Sequence, residues 1–369
     1  MKKLFLIGAI CMLYACTPAH IEVEIHNPSA AARSYETVGI NWNDITAKQE
    51  KMTPENIVVM SPDRKQIPSQ VLYEGNDSPQ RLIFQVSLTG AETAVYTLEK
   101  GMRQEYPVQA YGRFVPERLD DYAWENNRVA FRVYGPALTD PVTPGIDVWV
   151  KSTERMVIDD WYAGADYHTD KGEGMDAYKV GATLGGGASA PFIDSKLWLS
   201  GNYETWERLD NGPIRTTVKL KYAPFAVGET PVALEKTISL DANSYFSKMT
   251  DVYTGGFSRI PIAAGLVLHE VKEEFTGADY IGIVEAVSDS KDPEKDGDIA
   301  LGIIMPEAFK AEKAEGHVVI VADVANGIPL EYWNGSGWSR AGVEDGAKWK
   351  TLLLQKREQI ENPVQVTLK

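Results

Sequence analysis

Thiols are scarce in this chain: 369 residues carry two cysteines, Cys11 and Cys16, both within the first sixteen positions. Long apolar runs are also rare. Leu4 to Tyr14 is apolar but too short to cross a bilayer as a stable helix, and no later stretch is long enough. Lys/Arg-rich runs are missing, and the net charge is -15, which argues against nucleic acid as a partner. No G-x-S-x-G elbow and no H-E-x-x-H helix is present. Helical periodicity is sparse, and there are no internal repeats or low-complexity tracts.

What stands at the start is MKKLFLIGAICMLYAC, with a basic head at Lys2 and Lys3 and small Ala15 before Cys16. This reads as a signal peptide ending in a lipobox-like site, with Cys16 as the lipid-anchoring residue. An ordinary signal peptide with an incidental cysteine has the same outline. If residues 1–16 are processed in this way, Cys11 is removed and Cys16 acylated. No thiol is then left for a disulfide, a zinc site or a nucleophile. The expected location is a bacterial membrane, on the periplasmic side or at the cell surface.

Beyond it, short apolar alternations recur between turn signals, the mark of an all-β chain. Ile21, Val23 and Ile25 alternate with Glu22, Glu24 and His26 before Asn27-Pro28. Similar strands recur to Leu98. They predict a small β-sandwich over 20–101, a linker near 100–109, and a large two-sheet sandwich over 110–369. Ile262–Val271 and His317–Val324 are more continuously apolar, as strands covered on both faces are. Pro306–Glu315 is the best helix candidate.

The densest polar segment is WYAGADYHTDKGEGMDAYKVGATLGGGASA, residues 161–190. It gathers Tyr167, His168, Asp170, Glu173, Asp176 and Tyr178 among glycines, as functional loops do and as solvated turns also do. His168 beside Tyr167 suits an acid–base pair. The alternation Asp166, His168, Asp170, with Glu173 and Asp176 as further oxygen ligands, leaves a divalent cation such as calcium open, although Lys171 stands where an EF-hand has glycine. No other cofactor is expected. Gly185-Gly186-Gly187 lacks the Lys-Ser/Thr of a phosphate loop and reads as close backbone approach.

Two flanking strands show period two. In Gly145–Lys151, Asp147, Trp149 and Lys151 share one face and Ile146, Val148 and Val150 the other. In the strand before it, Val129, Phe131 and Val133 mark the core face and leave Arg128, Arg132 and Tyr134 opposite, with Glu125 just upstream. An aromatic ring between an acid and a base would suit a sugar carrying a carboxylate. An ordinary solvated sheet face has the same pattern. His269, in GLVLHEV, is a candidate binding residue or a core histidine.

The pieces DDYAWENNRVAFRVYGPAL, GIDVWVK and DYHTDKGEGMDAYKVGATLGGG, followed by LDNGPIRT and EKTISLD, resemble domain-of-unknown-function family 4861. Its members are exported carbohydrate-associated proteins, among which an ulvan oligosaccharide dehydratase is counted. The resemblance implies a galactose-mutarotase-like supersandwich. It also implies β-elimination, by a dehydratase or lyase, on oligosaccharides containing uronic acid. The expected partner is then an anionic oligosaccharide, with Arg128 or Lys151 neutralising the carboxylate, His168 as base and Tyr167 or Tyr178 as acid. Trp149, Asp147, Glu125, Asp170, Glu173 and His269 are the candidate binding groups. A mutarotase-like or hydrolytic sugar enzyme, or a non-catalytic glycan-binding lipoprotein, are the alternatives.

Overall fold

The computed structural model describes residues 20–164, 166–290 and 292–369. The signal segment and Cys16 lie outside the described residues. The chain is all-β: a small N-terminal sandwich is followed by a large two-layer supersandwich.

The small sandwich pairs a five-stranded with a three-stranded sheet. Ile21, Val23 and Ile25 point inward and are at most 2% exposed. Each such fully buried aliphatic side chain contributes about 1.5–3 kcal/mol. They meet Val38, Ile40 and Phe84 from the facing sheet and Leu98 from the neighbouring strand of their own sheet. The last strand of the chain, Gln365–Leu368, pairs antiparallel with His20–His26. The expected boundaries place this strand in the large domain; it belongs to the small sheet, because Val366 and Leu368 pack on the small core.

In the supersandwich one layer is a single eight-stranded sheet running in space from Tyr203–Asp210 to Val271–Thr276. The other layer holds two five-stranded sheets. Arg259–Val267 and His317–Ala325 lie in the interior of one of them and are buried at almost every position. The second contains Ala110–Val115, Asp121–Asn126, Ala130–Val133, Ile146–Lys151 and Gly174–Asp176. A bridge between Ile146 and Gly185 joins these two sheets side by side. Gly185 has φ +58, and a Cβ there would collide with the Ile146 carbonyl oxygen, so the approach requires glycine. The inward residues Trp124, Phe131, Ile146 and Val148 join the core of the eight-stranded layer.

Two expectations fail on local structure. Pro306–Glu315 is not a helix. Lys310–Ala314 is a strand paired with His317–Ala325 through a tight turn at Glu315 and Gly316, both at positive φ. Pairing overrides the local preference there. The long helix is instead Gly346–Glu361, capped by the Asp345 side chain on the Lys348 amide. It packs Trp349 and Leu353 on the eight-stranded sheet, beside Val284 and Ile304.

Candidate functional site

Period two in the second five-stranded sheet turns Asp121, Glu125, Arg132, Asp147, Trp149, Lys151 and Asp176 away from the sandwich core. Register sets Arg132 opposite Asp147 and Trp149 opposite Asp176. This outer face is not solvated. The short helix Ile158–Ala163 and the loop after it lie over it, and Trp149 is covered by Trp161, Tyr162 and Tyr167 at ring distances of 5.3–5.7 Å. Trp149 is therefore no open sugar platform.

One end of the face is closed. Lys151 donates at 2.7 Å to Glu125 Oε2 and to the carbonyls of Asn126 and Arg155, which uses all three of its protons. Glu125 Oε1 accepts from the amides of Val157 and Ile158, at the start of the short helix. Both side chains are fully buried. Burial pushes Lys151 down and Glu125 up, each partly offset by the other's charge. Neither the expected carboxylate-neutralising role of Lys151 nor the binding role of Glu125 fits groups so enclosed.

The other end is built around Arg132. Its Nη2 lies 2.5 Å from Asp147 Oδ2 and 2.8 Å from Asp176 Oδ2, and its Nε faces Asp121 Oδ2 at 3.7 Å. One guanidinium thus meets three buried carboxylates. Burial pushes Asp121 up to about 6, with Arg132 pulling it back only in part. Burial likewise drives Asp176 well above the usual carboxylate range. Burial thus favours the protonated form of both Asp121 and Asp176, against the pull of Arg132. Among the described residues Arg132 Nε and Asp121 Oδ2 have no hydrogen-bond partner, so the base of the site holds spare polar capacity.

Over this cluster lie Arg118, Tyr167 and His168. The Tyr167 hydroxyl accepts from Arg118 Nε and Arg132 Nη1, each at 3.4 Å. These are long bonds, but both donors are cationic, which leaves the hydroxyl's own proton free to donate. The His168 ring stands 4.5 Å from the Tyr167 ring, and its side chain is 47% exposed. His168 Nδ1 is 3.0 Å from the Asp176 carbonyl oxygen. A carbonyl can only accept, so Nδ1 carries the proton and Nε2 presents a lone pair outward. Arg118 is half-buried and in no ion pair among the described residues. Leu119 and Asp120, which follow it, both take left-handed φ (52° and 63°). Two such non-glycine residues in a row cost roughly 1–3 kcal/mol each, and the Tyr203 hydroxyl on the Asp120 carbonyl helps hold the turn.

The other expected site residues lie elsewhere. Arg128 stacks over Tyr245 at 5.6 Å, in a cleft between the two sandwiches. Tyr178 is buried in the sandwich core with no partner for its hydroxyl among the described residues, its ring edge-on to His269. His269 is bonded through Nδ1 to buried Glu285 at 2.7 Å. Asp170 is turned into its own loop, accepting from the Gly172 and Gly174 amides and from Arg340. Glu173 forks onto Arg155. Asp166 accepts from the His168 amide and the Thr169 hydroxyl. The acidic alternation thus forms loop turns and ion pairs. Among the described residues no three His, Cys, Asp or Glu side chains converge as metal ligands would.

Of the expected residues, the structure brings together Tyr167, His168, Asp147 and Trp149. Sequence reasoning placed Arg132 on the right face without choosing it, named Asp176 only within the polar loop as a candidate oxygen ligand, and missed Arg118 and Asp121 as site groups. For Arg132 the signal was its alternation with Phe131 and Val133; for Arg118 there was none.

The family described as Domain of unknown function (DUF4861) matches residues 25–366. Uncharacterized protein P7 of Formosa agariphila is 30% identical over 396 residues, spanning 99% of this chain and 98% of that one. Two solved Enterococcus faecalis structures share the fold: a protein in glycosyl hydrolase family 38 and an alpha-mannosidase. Each is 9% identical with a TM-score of 0.56 over 95% of this chain. The chain spans about half their length, 48% and 46%, and likeness at this identity is one of fold alone.

Proposed function

The chain belongs to the DUF4861 family, and on that premise we propose that it is an exported carbohydrate enzyme performing β-elimination on oligosaccharides that end in a uronic acid. The observation that carries this is the meeting of Arg118, Tyr167 and His168 on one half-open rim above the Arg132 cluster.

The C5 proton of a uronate lies α to its carboxylate, so removing it builds enolate charge. Arg118, the unpaired cation of the rim, neutralises that carboxylate. His168 Nε2 takes the C5 proton. Tyr167, whose hydroxyl is flanked by two guanidinium groups, protonates the departing oxygen at C4. The C5–H and C4–O bonds break, a C4=C5 double bond forms, and water or the departing sugar carries off the second proton. Asp176 and Asp147 set the position of Arg132, and the Asp176 carbonyl sets the His168 tautomer.

Cys16 anchors the chain by lipid at a bacterial membrane, where imported or surface-bound oligosaccharides are met. The anchor is tested by mass spectrometry of the membrane-extracted protein: an acylated N-terminal Cys16 is expected, and an unmodified N-terminus beyond it contradicts the assignment. The activity is tested by incubation with oligosaccharides from ulvan- and pectin-type polymers. A rise in near-ultraviolet absorbance from the conjugated product is expected. Saturated products, or none, across both substrate types would sink the reading.

A further inference from the structure

We propose that the cleft between the two sandwiches is a second carbohydrate site, which binds an anionic oligosaccharide between cationic side chains and aromatic rings. Its choice of a sugar polyanion rests on the elimination reading; the cleft itself does not.

The cleft has a volume of about 870 Å³, well within the range of ligand sites. Six Lys/Arg and four Asp/Glu side chains line it, a positive balance in a chain of net charge -15. Three of the cations are committed to carboxylates: Arg81 to Glu74, Arg215 to Asp241 through two bonds, and Lys248 to Glu331. Arg128, Lys348 and Lys356 are in no ion pair among the described residues. They come from two parts of the fold: Arg128 from the turn after Asp121–Asn126, and Lys348 and Lys356 from the helix Gly346–Glu361. Burial pushes Lys356 down, opposed by Glu36 and Asp241. An incoming anion would supply the counter-charge that Arg128 and Lys348 lack.

Rings alternate with the charges. Tyr245 and Trp333 line the cleft beneath Arg128 and Lys248. At the mouth, Tyr35 is 54% exposed with φ +55. The pairing of its strand shifts register between Arg33 and Glu36, and this bulge turns an aromatic side chain outward at a backbone cost of order 1 kcal/mol. No hydrogen bond of its hydroxyl repays that strain among the described residues. A sugar's C–H face stacks on such a ring while its carboxylates reach the cations, which a mononuclear anion would not need.

The test is calorimetric titration of the full chain with tetragalacturonate, and with cellotetraose as the neutral match. The charged tetrasaccharide is expected to bind, more weakly as salt rises, and cellotetraose at least tenfold more weakly. The double change Arg128→Ala with Lys348→Ala should weaken tetragalacturonate at least tenfold. Tyr35→Gly should weaken it several-fold while melting temperature holds or rises, because glycine relieves the left-handed strain; a merely structural tyrosine would not show that split. Lys65→Ala, remote and exposed, serves as control. Equal affinity for the neutral sugar, no measurable binding, or unchanged affinity in both cleft variants would overturn the proposal. Tetragalacturonate binding that the cleft variants weaken, with no elimination product in any assay, would remove the elimination reading alone and leave the cleft standing.

Discussion

The two ends of one sheet face carry similar residues to opposite purposes. At the closed end Lys151 and Glu125 meet one to one, every proton and lone pair that matters is used, and a helix seals them from water. At the open end one guanidinium serves three carboxylates, two polar atoms are left unmatched, and a histidine stands half in solvent. A balanced buried pair holds a structure together; an unbalanced cluster beneath a half-exposed histidine and a tyrosine hydroxyl is the arrangement that functional sites favour. Strand alternation alone assigns both ends to the same face, and only the cover distinguishes them.

The comparison is broken most severely at the closed end. Lys151→Ala leaves Glu125 buried and uncompensated, and should cost about 3–5 kcal/mol of stability in denaturant titration, with turnover per folded molecule unchanged. A mild loss of stability would mean that this end is wet. Arg118→Ala should do the reverse: elimination falls by about 10³-fold, the Arg118→Lys variant recovers part, and denaturant midpoint stays near the wild type. A smaller effect, about 10²-fold, is expected for Tyr167→Phe, chiefly in kcat. It should be least for substrates whose leaving group needs no protonation.

The smallest effect concerns proton balance. Asp121 has a folded pKa of about 6 against an unfolded value near 4. The folded state therefore holds this proton more tightly. The associated stability is fully present below about pH 4 and is lost as pH rises through about 6. Asp121→Asn removes a charge that burial disfavours. Its melting temperature relative to wild type should rise by a few degrees between pH 4.5 and pH 7.5. A difference that is flat or falling with pH would show that Arg132 fully balances Asp121.

Much of this layout was legible in the residues. Period two separated Phe131 and Val133 from Arg132, and Val148 and Val150 from Asp147 and Trp149. The glycine run at 185–187 read correctly as close approach. Three things were hidden, each for a tertiary reason. The six-residue helix that closes the face has too little periodicity to announce itself, so Trp149 and Lys151 looked exposed. Arg118 reaches Tyr167 through a left-handed turn at Leu119 and Asp120, where no glycine marks the bend. Arg128 shares a sequence stretch with Arg132, yet lies beyond the strand end, beside Asn243 and Tyr245. The return of Gln365–Leu368 to the first strand is a contact across nearly the whole chain, which no local pattern encodes.

The central claim is that His168 is the base of the open end. Near-ultraviolet absorbance during incubation with uronate-ended oligosaccharides measures it most directly, with wild type and His168→Ala compared at equal folded concentration. The account predicts an unsaturated product from the wild type and a rate lower by about 10²–10⁴-fold in the variant, with its melting temperature unchanged. Equal rates in the two proteins would contradict it.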